Sequence, residues 1–319
     1  MIKPFKFEST PNHDKRAQVF KNLMMYRVGP AWDATAESVE AGLQASRFAE
    51  CGASQDKSIG WTEPRGEAHG PLVEQVAGQL MLKLMVEVKV VPGSVITRKL
   101  KERVAQIEAT TGRKPGKKES RDLKDEIRLD LMPMAFTKQS TVGIWIDPKA
   151  KLLVIDAGSQ ARADEVVTML VKALEGFSVT LINTTTSPAV AMARWLTTQE
   201  PPQGFSVDRE CELKSADESK AVVRYSRHPL DIDEVRQHIE SGKQPTRVAL
   251  TWADRISFVL TEAFTLKKVA FLDVVIEGTS GSSKGKDDGF DTDVAIATTE
   301  LGGMIPDLLL ALDGEMVSA

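Results

Sequence analysis

The sequence predicts an α+β fold of antiparallel sheets with helices packed on them. Three observations carry this. Short β-branched or alternating apolar blocks occur at 78–91, 142–147 and 152–156, the last two joined by the turn Pro148-Lys-Ala-Lys151. Helical periodicity follows such runs instead of separating every strand from the next, which disfavours a doubly wound parallel sheet. The order of strands and then helix recurs near the C-terminus, although no convincing sequence repeat accompanies it.

Taken in order, 1–18 reads as an irregular polar extension and 19–28 as an extended segment. Ala34 to Phe48 carries Val39 and Leu43 at helical spacing, with Phe48 less well placed. The block Gly78 to Val91 is long enough for one or two strands, and Pro92-Gly93 breaks it. A helix is predicted next, with Ser94 as its N-cap, Ile96, Leu100, Val104 and Ile107 as its apolar stripe, and Gly112 as its stop. The linker Arg113-Lys-Pro-Gly-Lys-Lys118 leads to a second helix from about Glu119, with Leu123, Ile127 and Leu131 on one face and Pro133 closing it. Two narrow stripes joined by a short polar link predict a protruding αα-hairpin.

The β-hairpin of 142–147 and 152–156 follows. A helix from about Ala163 to Glu175 then faces Val166, Val167, Leu170, Val171 and Leu174 inward and ends at Gly176. Asp231 is predicted to cap a short helix running through Ile239 and ended by Gly242. The segments 246–252, 256–260 and 266–275 read as a three-stranded meander, and Asp293 to Thr298 as a further strand. A final helix carries Leu301, Met304, Ile305, Leu308 and Leu309.

The 319 residues suffice for two or three packed units, and 42% apolar with 27% charged residues is ordinary for a soluble globular chain. No run of about 18 apolar residues stands out, so no membrane span is expected. The start lacks the apolar stretch of a secretory signal, so none is expected, and the two isolated cysteines fit thiols in a reducing cytoplasm. Cys51 and Cys211 have no neighbours at metal-ligand spacing and read as free thiols, with no disulfide framework and no zinc site expected. The net charge of −4 is unevenly distributed. Ile96 to Lys124 holds ten Lys/Arg against four Asp/Glu, whereas Lys286 to Ala319 holds one Lys and eight Asp/Glu. A positive surface on an otherwise acidic body can hold a polyanion.

Catalytic constellations are scarce. His13, His69, His228 and His238 make no helical pair with an intervening glutamate, and no Gly-x-Ser-x-Gly elbow occurs. The loop Gly278-Thr-Ser-Gly-Ser-Ser-Lys-Gly-Lys286 lacks a P-loop's first glycine, where Ser280 stands, and its terminal hydroxyl, where Asp287 stands. It reads as a surface loop. Asp287, Asp288, Asp291 and Asp293 cluster without a recognised nuclease spacing and read as solvated surface. The chain is therefore expected to be no enzyme, with no cofactor and no metal.

The basic hairpin is the stronger signal. Arg98, Lys99, Arg103, Arg113, Lys114, Lys117, Lys118, Arg121 and Lys124 are the candidate DNA contacts. Phosphates need positive donors spread along a surface, and lysine acts as a point charge instead of a bidentate base reader. The scarcity of aromatic residues among them disfavours a single-strand stacking platform. A solvated helix pair with ordinary surface charge fits the same residues. Phe136, just beyond the second helix, reads as core or as an anchor between subunits.

Phe20-Lys-Asn-Leu23 with Tyr26-Arg27, Ser54-Gln55, Gly60-Trp61, Leu123-Lys-Asp-Glu-Ile127, Ala135-Phe136, Trp145-Ile-Asp147, Gln203-Gly-Phe205, Glu212-Leu-Lys214 and His238-Ile-Glu-Ser-Gly-Lys243 resemble the RdgC family in order and spacing. So do Leu250 with Trp252, Arg255-Ile-Ser-Phe-Val259 and Phe290-Asp-Thr-Asp293. The resemblance spans roughly Val19 to Glu315. It departs from the family before Val19, in the 278–286 loop, and at Gly116 and Lys118.

The resemblance implies a ring-shaped homodimer with a positively charged hole through which double-stranded DNA passes, bound without sequence preference. It also implies restraint of RecA-promoted homologous recombination, by a cytoplasmic, nucleoid-associated protein with no membrane partner. Each subunit would comprise an N-terminal extension (1–18), a central α+β domain (19–93 and 132–180), a helical tip (94–131) and an α+β base (181–319). Phe136 falls where the family places a phenylalanine near the contact between tips, and Arg113-Lys114 matches a basic pair on the tip. The rival readings are a metal-dependent nuclease or ATPase of DNA metabolism, and a regulator that contacts RecA through protein alone.

Overall fold

A computed structural model describes residues 19–277 and 286–316. The expected extension at 1–18 and positions 278–285 of the Gly/Ser/Lys loop lie outside the described residues. Along the chain stand β1 (Met24–Val28), α1 (Ala36–Gln44), β2 (Lys57–Thr62), β3 (Val73–Val76) and β4 (Gln79–Val90). Next come α2 (Gly93–Thr111), α3 (Lys117–Leu131), a 3-10 turn (Met132–Met134), β5 (Phe136–Asp147), β6 (Leu152–Ile155), α4 (Gln160–Ala173) and β7 (Val179–Leu181). The remainder is α5 (Pro188–Thr198), β8 (Phe205–Ser215), β9 (Val222–Ser226), α6 (Asp233–Glu240), β10 (Lys243–Trp252), β11 (Ile256–Thr261), β12 (Leu266–Phe271), α7 (Asp273–Glu277) and α8 (Lys286–Ala311). The class is α+β with antiparallel ladders, as the patterning predicts.

The chain divides into two compact units. Among the described residues one unit holds 28–155 and 161–179, and the other holds 19–27, 156–160, 180–277 and 286–316. In the first unit β2, β4, β5 and β6 lie side by side, and β3 also pairs with β4. The β4–β5 ladder runs from Leu80 opposite Ile146 to Val90 opposite Phe136. The core takes Trp61, Leu80, Leu82, Leu84, Ile144, Ile146 and Leu153 from the strands, with Val39 and Leu43 of α1 and Ala163, Val166 and Leu170 of α4. Burying a side chain of this kind is worth about 1.5–3 kcal/mol. Val171, expected to face inward, is 49% exposed, because at about 100° from Leu170 it stands to one side of the stripe of Ala163, Val166, Leu170 and Leu174.

In the second unit the sheet order is β12-β11-β10-β8-β9. The meander is present, but it ends at Phe271, and the segment from Asp273 turns into α7. The strand expected at Asp293–Thr298 is the opening of the helix α8. Its β-branched residues mislead over six positions. Among the described residues of the helix the buried ones are Val294, Ala297, Thr298, Leu301, Met304, Ile305, Leu308 and Leu309, which follow a period of 3.6.

The stretch Gly289–Ala311 is long enough and has the mean hydropathy to cross a membrane by length and composition, although Asp291, Asp293, Glu300 and Asp307 interrupt it and no uninterrupted apolar run occurs. In this fold that helix is held by its flanks. Arg255 donates twice to Glu300, at 2.7 and 2.5 Å, and Trp252 Nε1 donates to Asp307 at 2.9 Å. A Cβ on Gly303 would stand 3.2 Å from the Trp252 ring, so the glycine sets how closely helix and indole approach.

Several boundaries differ from expectation: β5 begins at Phe136, six residues before Val142, because it pairs with β4 as far as Val90, and α4 runs from Gln160 to Ala173 instead of from about Ala163 to Glu175. Pro92, not Ser94, precedes α2, which begins at Gly93 with no side-chain cap. Helix α3 starts at Lys117, two residues earlier than expected, because Gly116 supplies the extended N-cap backbone. Helix α6 starts at Asp233 behind Ile232, so Asp231 is not its cap; Asp233 and Glu234 provide the acidic first turn instead.

Candidate nucleic-acid interface

Helices α2 and α3 are inserted between β4 and β5. At 1.5 Å per residue they are about 28 and 22 Å long. Gly112 ends α2 in the left-handed region (φ 69°), which favours glycine, and returns its N–H to Glu108 O at 2.9 Å. Arg103 reaches Glu126 at 3.9 Å across the pair, so the two helices run antiparallel. Only Ile96 and Ile127 are buried. Leu100, Val104, Ile107, Leu123 and Leu131 are half-buried, so the expected stripes do face each other. The remaining surface of the pair is open to solvent.

All nine candidate contacts are exposed. Four of them meet carboxylates: Arg98 with Glu102 and Arg103 with Glu126, both at 3.9 Å, Lys114 with Glu108 at 3.6 Å, and Arg113 with Glu119 at 2.8 Å. The Arg113–Glu119 pair is a fork, with a second contact at 3.3 Å. It raises the guanidinium's already high pKa and holds the Glu119 carboxyl below its usual range, chiefly through the hydrogen bond. Among the described residues no carboxylate lies within 4.0 Å of Lys99, Lys117, Lys118, Arg121 or Lys124. The helix pair with its linker carries eleven Lys/Arg against seven Asp/Glu. The excess is smaller than in the 96–124 window, because the end of α3 adds Asp125, Glu126 and Asp130 against Arg128 alone.

Phe136 is 84% exposed, which excludes it from the core of this chain. It faces Val90 across the β4–β5 ladder, and Val88 faces Lys138 one pleat along. Directly opposed residues share a face, so Val90, Phe136 and Val88 stand together. Met134, 74% exposed, precedes them. The root of the helix pair is braced from below. The buried Lys89 donates to Met132 O at 3.2 Å and to Ala53 O at 2.8 Å. Buried Glu87 accepts from Gln139 Nε2 at 2.7 Å and from Cys51 N–H at 3.1 Å. These bonds, led by that from Gln139, lower its pKa.

A family model described as "Putative exonuclease, RdgC" matches residues 19–315. The chain belongs to the RdgC family. Recombination-associated protein RdgC of Dechloromonas aromatica is 43% identical over 303 residues, covering 94% of this chain and 99% of that protein. The namesake of Herminiimonas arsenicoxydans is 44% identical over 296 residues (93% and 98%), and that of Bordetella pertussis 40% over 298 (93% and 98%). The match to the RdgC family thus takes in the helix pair, its root and both units.

Among the described residues, those considered for catalysis do not assemble. Among the described residues no group of three or more His, Cys, Asp and Glu stands together as a metal site. His228 Nδ1 lies 2.8 Å from Pro229 O, His238 Nδ1 lies 3.3 Å from Lys243 Nζ, and Asp291 and Asp293 fall on α8. Sequence reading missed Lys101 and Arg128 as candidate contacts. Their signal was present in the spacing, since Lys117, Arg121, Lys124 and Arg128 follow one another at four, three and four residues.

Proposed function

We propose that this member of the RdgC family binds double-stranded DNA through its phosphates, without sequence preference and without covalent chemistry. One observation carries the reading: an exposed, lysine- and arginine-rich helix pair, unpaired over much of its length, in a chain whose relatives are named for recombination. Point charges on a mobile-stemmed surface suit phosphate contacts and supply no rigid base reader. We further propose a homodimeric ring that encircles the duplex, with Phe136, Val90 and Val88 closing one contact between subunits. Occupied DNA would then restrain RecA-promoted recombination in the nucleoid. The apolar group beside the cationic helices supports the closure, because exposed Phe136 and Met134 are of the aromatic and methionine types enriched in the cores of protein interfaces.

The deciding measurement is DNA binding across a salt series, on linear and closed-circular duplex. Affinity should fall with a log–log slope of about −0.9 per phosphate neutralised, and unrelated duplexes of equal length should bind within a few-fold of one another. Closed-circular DNA should stay bound after a wash that strips linear DNA. A strong preference for one short sequence, or no binding at moderate salt, overturns the reading. Incubation of plasmid with the protein, magnesium or manganese, and ATP should leave DNA and nucleotide intact; cleavage that copurifies with the protein would favour a nuclease.

A further inference from the structure

The Arg103–Glu126 contact fixes which flanks of the two helices lie side by side. At about 100° per residue, Lys99 and Arg103 share one flank of α2, and Glu119, Glu126 and Asp130 share one flank of α3. The contact places these two flanks together. Lys101 lies on the opposite flank of α2. On the opposite flank of α3, Lys117, Arg121, Lys124 and Arg128 form a single straight row about 16 Å long. Glu108 on this side of α2 holds Lys114, and Asp122 and Asp125 stand on the outer face of α3 beside the row without coming within 4.0 Å of its cations. All five cations are exposed, and among the described residues none has a carboxylate within 4.0 Å. The helix pair is therefore two-sided: on one flank Arg103 and Arg113 are matched by Glu126 and Glu119, and on the other the row of cations is unpaired among the described residues.

Resting on the DNA-binding reading above, we propose that a phosphodiester backbone lies along this second flank alone, held by Lys101, Lys117, Arg121, Lys124 and Arg128. Arg98, Lys99 and Arg103 are then not phosphate contacts. Charge complementarity commits the surface to a polyanion. The row follows the helix axis, so it offers successive donors to one strand instead of a cluster for a single phosphate. Glu119, Glu126 and Asp130 repel a second strand from the other flank, which fixes the side on which the duplex lies.

Two variants of equal charge change test this: Lys117→Gln/Arg121→Gln/Lys124→Gln, and Arg98→Gln/Lys99→Gln/Arg103→Gln. Both leave buried residues untouched, and circular dichroism with thermal melting checks the fold of each. The probe is a duplex of about 30 base pairs and mixed sequence, titrated between about 50 and 300 mM NaCl. The α3 variant should lose at least about tenfold in affinity, with a salt slope shallower by about 2 to 3. The α2 variant should stay within about threefold of the parent with a slope changed by less than about 1. Equal losses, a larger loss in the α2 variant, or no loss in either would overturn the one-flank assignment while leaving DNA binding in place. Failure of the unmodified protein to bind the duplex would instead overturn both readings.

Discussion

Val90 and Phe136 stand opposite each other at the last pair of the β4–β5 ladder, 43% and 84% exposed. A phenylalanine in that position contributes little to the fold of a single chain. Phe136→Ala should therefore change unfolding free energy by no more than about 0.5 kcal/mol. If it anchors a contact between subunits, its loss should cost that contact about 2 kcal/mol or more. The expected result is an unshifted melting curve, a chain still dimeric by sedimentation, and faster release from closed-circular DNA. A variant that melts several degrees lower and retains circular DNA unchanged would make Phe136 a structural residue.

Lys89 should behave oppositely. Its buried ammonium satisfies Ala53 O and Met132 O, and Met132 follows directly on α3. Lys89→Met keeps most of the apolar stem and strands both carbonyls, at about 1–3 kcal/mol for a buried unsatisfied group. Urea unfolding should show a lower midpoint with an unchanged slope. Hydrogen exchange should rise first in α3 and the turn behind it. An unchanged midpoint would mean that water replaces the ammonium at no cost.

How far such features were readable in the sequence differs from element to element. Helices α2 and α3 were legible because each has an uninterrupted 3.6-residue apolar stripe and Gly112 gives an unambiguous stop. Strand β8 was not. Its Ser-Val-Asp-Arg-Glu-Cys-Glu-Leu-Lys run buries only Cys211 and Leu213, with Phe205 just ahead of it, so its outward face masks the alternation. Helix α5 escaped although Ser187 and Pro188 are a standard N-cap and first turn, and Ser187 Oγ accepts the Val190 N–H. At the candidate interface, residue types were legible and pairing was not. Nothing local distinguishes Arg103, which meets Glu126 far along the chain, from Arg121, which meets no carboxylate among the described residues.

The two thiols should differ in reactivity. Cys211 is buried on β8, and desolvation pushes its pKa up to about 12, so neither access nor thiolate is available at a pH of about 8. Cys51 is half-buried, and its pKa is also raised, first by desolvation and then by the neighbouring Glu87 carboxylate. A chromogenic disulfide reagent at that pH should titrate Cys51 slowly in the native protein and Cys211 only after denaturation. Rapid reaction of both thiols in the folded chain would contradict this burial.

Glu212 gives the fold a specific acid sensitivity. On β8 it accepts from Arg224 Nε at 2.6 Å and from Thr246 Oγ1 at 2.8 Å, with Arg247 at 3.8 Å. The Arg224 hydrogen bond, then that of Thr246, holds its pKa below the ordinary value, and the burial that would raise it is the weaker effect. A carboxyl whose folded pKa is lowered binds its proton more readily in the unfolded chain. Its stabilisation is therefore fully present above the unfolded pKa of about 4.3 and drains away as pH falls through the lower folded value. Glu87 and Glu63 are lowered as well, so the total acid response has several sources. The difference between parent and Glu212→Gln isolates this one. The amide side chain of that variant cannot ionise and leaves the Arg224 and Arg247 charges unmatched, so the variant should be less stable near neutral pH. Between about pH 5 and pH 3 the parent should lose stability faster, and the two urea midpoints should converge. Midpoints that stay parallel across that range would show that the Glu212 proton is not linked to folding.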